Sequence, residues 1–227
     1  MDHHHHNAHH DADMEGAPLD EAFTPRQEEV LEAALGLLVE GGERAITTAG
    51  LARAANCSKE SLYKWFGDRD GVLAAMIAYQ ASKVRVAVGG SGPQRPADTY
   101  RADLEGFGVD LLTVLSGPAS LALNRLAIGQ ASREGSRLGD LLVARGRRAV
   151  SSRAKALLEA GRRAGHLRFE DTLDAFETLY GLILRDMHVR LMLGEHVPAT
   201  NSDRAMATHV ARAVDQFFRL YGADAQS

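Results

Sequence analysis

Apolar side chains recur every three to four positions along most of the chain, a helical period. Val30, Leu31, Ala34, Leu35 and Leu38 make the first stripe and predict an amphipathic helix from about Pro25 to Glu40. Thr24 is its candidate N-cap, with Pro25 at the first helical position, and Gly41-Gly42 ends it. A short helix capped by Thr47 or Thr48 runs to near Ala55, and Ser58 opens another from Lys59 to Trp65. Asp68 precedes a longer helix reaching about Val86. Further helices are predicted at about 98–115, 118–133, 137–164, 171–193 and 202–221. No strand-like alternation of useful length occurs, and no internal repeat. The fold class is all-α, with about nine helices.

The stretch Gly89-Gly90-Ser91-Gly92-Pro93-Gln94-Arg95-Pro96 is the clearest interruption, because Gly and Pro at this density stop a helix. It divides the chain into an N-terminal three-helix helix-turn-helix domain at 23–88 and a C-terminal helical ligand-binding and dimerisation domain at 97–223. Residues 1–22 carry His3, His4, His5, His6, His9 and His10 among Asp and Ala. They read as a disordered histidine-rich tail or a tag, and no role is assigned to them.

Composition narrows the picture. With 45% hydrophobic residues the chain can bury a proper core. One cysteine excludes an internal disulfide framework and a four-cysteine zinc site, and suits a reducing, cytoplasmic setting. No apolar run approaches the roughly 20 residues of a membrane span, and the N-terminus is unlike a secretory signal. A net charge of −4 argues against non-specific coating of nucleic acid, but leaves room for a local basic patch.

Residues 46–66 hold two short helices separated by a tight turn, which a helix-turn-helix requires and an unrelated helical hairpin also allows. Leu51, Ala52 and Ala55 give the first helix a slim apolar face for a close crossing. Asn56 falls in the turn, where a positive φ is expected and Asn tolerates it. The exposed side of the second helix presents Lys59, Glu60, Ser61, Tyr63 and Lys64, with Ser58 as its cap. Thr47, Thr48 and Arg69 add groups suited to phosphate. These nine residues are the DNA-binding candidates.

Residues 26–79 resemble the N-terminal domain of the TetR family. The likeness runs through Val30-Leu31 with Ala33-Ala34, Gly41-Gly42, Thr47-Thr48 and Leu51-Ala52, then Ser58 to Phe66 and Arg69-Asp70-Gly71-Val72-Leu73. Asn56 stands where the family usually has Gly, and Arg69 where it often has Lys. Each keeps the required physics. The C-terminal part resembles the family's AefR-like domains at Arg125 to Gln130, Gly181 to His188 and Val214 to Gly222. The resemblance implies a transcriptional regulator, a probable repressor and not an enzyme, binding a double-stranded DNA operator as a homodimer.

In the resembled family the last two long helices of each subunit form a four-helix bundle. Leu184, Met187, Leu191, Val210, Val214, Phe217, Phe218 and Tyr221 are the corresponding interface candidates. A small apolar or amphipathic inducer or corepressor is expected among the C-terminal helices. Its candidate lining is Leu104, Phe107, Leu111, Leu115, Gln130, Leu157, Phe176, Tyr180 and Ile183. No cofactor or metal is expected. The competing reading is a metal-dependent enzyme on a helical bundle, with His188, Asp186 and Glu177 or the N-terminal histidines holding metal. Against it, the chain lacks the Glu-x-x-His pairs that such bundles use.

Overall fold

Thr24 closes a capping box at the first helix: its hydroxyl accepts from Gln27 N at 3.1 Å while Gln27 Oε1 accepts from Thr24 N at 3.0 Å. The helix it starts is α1 (Pro25–Gly41) in a computed structural model that describes residues 22–86 and 95–224. The histidine tract and most of the Gly/Pro interruption lie outside these residues. After a 3-10 turn at Glu43–Ala45 come α2 (Thr48–Ala55), α3 (Lys59–Phe66) and α4 (Arg69–Ser82). The second lobe contains α5 (Ala97–Ser116), α6 (Pro118–Gln130), α7 (Leu138–Leu141) and α8 (Arg148–Arg163). It continues with α9 (Thr172–Leu184), α10 (Met187–Met192) and α11 (Asp203–Tyr221). Among the described residues the only β-type pairing is an isolated bridge between Leu167 and Gly222, so the chain is all-α.

Three elements depart from the expected helices. The helix expected over 137–164 widens into a π segment at Leu142–Arg147. There Gly146 lies so close to Ile77 on α4 that an added Cβ would come within 3.2 Å of its Cγ2. The helix expected over 171–193 is broken, with Arg185 at φ 49° and ψ −131°. No Gly or Pro marks that break; tertiary partners hold it. His209 Nε2 donates to the Ile183 carbonyl at 2.7 Å beside the break, and at the far end of α10 Arg125 Nε and Nη2 donate to the Met192 and Leu191 carbonyls at 2.9 Å each. The helix expected to reach Val86 stops at Ser82, where Arg153 Nη1 donates to the Ala81 and Val84 carbonyls at 2.9 and 2.7 Å.

Two hydrophobic cores result, and they interlock. The first gathers α1–α4 and also takes Leu123 and Ala127 from α6 and Leu138 from α7. The second is built from α5, α8, α9 and α11, and it takes Ala81 and Val84 from the end of α4. Packing therefore crosses the Gly/Pro interruption in both directions. Burial of these shared side chains stabilises the contact between lobes at roughly 1.5–3 kcal/mol for each large aliphatic.

Candidate functional site

The sequence of α2, turn and α3 dictates the geometry of the N-terminal surface. Thr47 caps α2, its Oγ1 accepting from Gly50 N at 2.9 Å. Asn56 ends the helix in the left-handed region (φ 53°, ψ 51°), as the turn requires. Ser58 then caps α3, accepting from Ser61 N at 3.1 Å and donating to Ser61 Oγ at 3.0 Å. Leu62 turns inward against Leu51, Ala52 and Ala55, which fixes the face left outside. That face carries Lys59, Glu60, Tyr63 and Lys64, all exposed, with Ser61 half-buried; Tyr63 is 53% exposed. Thr48 Oγ1 lies 3.5 Å from Tyr63 OH, so α2 and α3 contribute to one continuous surface.

Arg69 is exposed, but its Nε donates to the Ile46 carbonyl at 3.0 Å. The guanidinium is thereby anchored beside the start of α2. Two exposed cations near this surface were not among the sequence candidates: Arg44 in the 3-10 turn and Arg53 on α2. The charge is visible in the sequence; which side of a two-turn helix it occupies is not. Arg26 is a further unforeseen contributor, its Nη2 donating to the Asn56 carbonyl at 2.9 Å and the Ala55 carbonyl at 3.2 Å. It ties α1 to the turn and satisfies carbonyls that α2 leaves open.

α4 seats α3. Asp68 caps it through Gly71 N at 2.9 Å, and Gly71 is obligatory because a Cβ there would sit 1.7 Å from the Phe66 carbonyl oxygen. At its other end α4 meets the second lobe. There Ile77, Gln80 and Ala81 form one wall of a cavity of ≈ 250 Å³. Of the nine lining candidates, Leu111, Leu115, Phe176 and Tyr180 face it.

The other five lining candidates are elsewhere. Leu104, Phe107, Leu157 and Ile183 are buried in the second core, where their apolar spacing reflects ordinary packing. Gln130 donates to Glu43 instead, bridging α6 to the turn before α2. Residues unforeseen in the lining include those of α4, together with Ser120 and Asn124 on α6, Arg147 in the π segment, and His188 on α10. Gln80 Nε2 donates to Ser120 Oγ at 3.2 Å, and Asn124 Nδ2 donates to the Ser120 carbonyl at 2.8 Å. Burial holds the half-buried His188 ring below its ordinary range and pushes the Tyr180 phenol up.

The interface candidates also divide. Leu184, Met187, Val210, Val214 and Phe217 are buried within the subunit's own core and so cannot meet a partner directly. A helical stripe shows that a face is buried and not against which body. Leu191, Phe218 and Tyr221 are half-buried. Leu173, Val189, Leu193 and Leu220 are the exposed large aliphatics on these elements. Among the described residues no three His, Cys, Asp or Glu side chains gather as metal ligands, and Glu177, Asp186 and His188 are not brought together. No single helix there is long and apolar enough to cross a membrane.

A helix-turn-helix head packed on an all-helical lobe, with a cavity walled in part by α4, defines a class, the one-chain DNA-binding regulators. Residues 30–76 match the model for bacterial regulatory proteins of the tetR family, and residues 102–223 match that for the C-terminal domain of AefR-like transcriptional repressors. The chain belongs to the TetR family of transcriptional regulators. A solved TetR transcriptional regulator from Agrobacterium tumefaciens is 57% identical, covering 89% of this chain and 97% of its own, with a TM-score of 0.75. A TetR family regulator from Pseudomonas syringae shares the fold at 17% identity and a TM-score of 0.59, over 88% of this chain and 98% of its own. The uncharacterized HTH-type regulator YvkB of Bacillus subtilis is 33% identical over 91 residues, which is 40% of this chain. The match spans 46% of that curated relative, about half its length.

Proposed function

We propose that the protein is a homodimeric repressor, acting in the cytoplasm, whose grip on an operator is set by a small ligand in the α4-walled cavity. One observation carries this reading. The helix whose first turn seats the recognition helix through Gly71 also supplies Ile77, Gln80 and Ala81 to the cavity wall. A ligand that favours one position of α4 changes the pose of α3, which is all that control of DNA affinity requires. Dimerisation is supported by the family and by the exposed Leu173, Val189, Leu193 and Leu220 on the last three helices.

Thr47, Thr48, Ser58 and Arg69 are assigned to phosphate, and Lys59, Glu60, Ser61, Tyr63 and Lys64 to the groove. Footprinting on the DNA flanking the protein's own gene tests the assignment. The full chain should protect an inverted repeat, and the Tyr63→Ala, Lys64→Ala double variant should lose protection with unchanged thermal unfolding. Protection by the variant equal to that by the parent protein would overturn the site. Binding should also weaken steeply with salt as phosphate contacts release counterions.

A further inference from the structure

The chemistry of the cavity lining restricts what it can hold. We infer that its ligand is a small, single-ring organic acid, bound as the monoanion with its carboxylate at Arg147. This rests on the ligand-controlled reading above and adds the class of ligand.

Three observations carry it. First, no Asp or Glu belongs to the lining, whereas Arg147 and His188 do. A cationic ligand would bury its charge with no opposite charge beside it, which is strongly unfavourable; an anion finds one. Second, Arg147 is held ready at the exposed side: its guanidinium lies over the Tyr180 ring at 5.2 Å. Stacking of this kind orients the planar fork and leaves its N–H edges available to a carboxylate, a geometry a lysine could not offer. Third, His188 Nε2 is buried and has no hydrogen-bond partner among the described residues. Such an atom is short of a hydrogen bond that a polar ligand atom can supply and a pure hydrocarbon cannot.

Size and shape complete the class. The ≈ 250 Å³ cavity lies below the range of about 300–1,000 Å³ typical of drug-sized ligands. Phe176 and Tyr180, tilted rings with centroids 5.7 Å apart, form one side of it. A flat ring makes offset or edge contacts with such a pair that a branched chain does not.

Titration calorimetry of the full chain with benzoate, benzyl alcohol and benzylamine tests the inference, since the three share a ring and differ in charge. Benzoate should bind about tenfold more tightly than the alcohol, as a charge-assisted bidentate contact implies, and benzylamine more weakly than either. Arg147→Gln should reduce benzoate to the level of the alcohol and leave the alcohol unchanged. Leu115→Trp, at a half-buried wall position of the cavity, should abolish binding of all three, with thermal unfolding confirming that the variant folds. Equal affinity for the three probes, or a benzoate preference that survives Arg147→Gln, overturns the acid assignment while the cavity stands. Binding that survives in a folded Leu115→Trp protein, or no binding of any probe to the parent chain, overturns the cavity reading itself.

Discussion

Replacing Arg153 with Met should loosen the joint between the two lobes without disturbing the surface that reads DNA. Arg153 Nη1 donates to the carbonyls of Ala81 and Val84 at 2.9 and 2.7 Å, closing the C-terminal end of α4 from the opposite lobe. Both carbonyls belong to residues buried in the second core, where water is a poor substitute. A hydrogen bond to a charged group contributes about 1.5–3 kcal/mol net. Methionine keeps the aliphatic packing of the stem and removes both bonds. Because the arginine is itself half-buried and a single nitrogen serves both carbonyls, the two bonds together count for less than twice one bond, and the expected loss is about 2–3 kcal/mol. For a chain of this length that corresponds to roughly 4–12 °C in Tm. Urea unfolding with parent and variant at equal concentration measures the loss, and hydrogen exchange should locate new opening at amides 80–84. Arg153→Lys should recover part of the stability, since an ammonium can still reach one carbonyl. A loss below about 0.5 kcal/mol, with unchanged exchange at 80–84, would refute the view that this arginine holds the end of α4.

Asn56 occupies the left-handed region, so Asn56→Ala should cost about 1 kcal/mol in urea unfolding, whereas Asn56→Gly should be neutral or slightly stabilising. His188 makes a prediction with a definite sign. Burial lowers its native pKa from 6.5, so the unfolded chain takes up a proton on this ring before the native state does. Its contribution to stability is therefore complete above pH 6.5 and is lost as pH falls from 6.5 toward the native value. His188→Phe should flatten the stability profile between pH 6.5 and 5; an unchanged slope in that window would assign the acid sensitivity to other groups.

Most helices were legible because their ends carry local chemistry. Thr24, Thr47, Ser58 and Asp68 each cap through their own side chains, and Asn56 and Gly42 turn the chain where their φ preferences allow. The break at Arg185 was illegible for the complementary reason. Its carbonyl acceptor Ile183 is satisfied by His209, 26 residues away, and no local residue announces it. The recognition surface was readable because Leu62 must point inward, which leaves its neighbours outside. The cavity was half readable. Periodicity separates buried from exposed positions, but Leu104 in a filled core and Leu115 beside a space look the same to it. The position of α4 next to the interruption marks it as a helix that touches both lobes, but nothing in its pattern tells that Gln80 and Ala81 face a space and not a neighbouring helix.

The exchange of side chains between the two cores sets limits on recombination. Joining this DNA-reading head to a foreign regulatory lobe at the Gly-rich segment would follow the apparent seam, yet it would leave the head without Leu123, Ala127 and Leu138. The foreign lobe would in turn receive Ala81 and Val84 in place of the side chains its own interior evolved around. A working hybrid must therefore carry the inner faces of α6 and α7 along with the head. Altered specificity is more safely reached by changing the outward residues of α3 alone, because none of them takes part in that exchange.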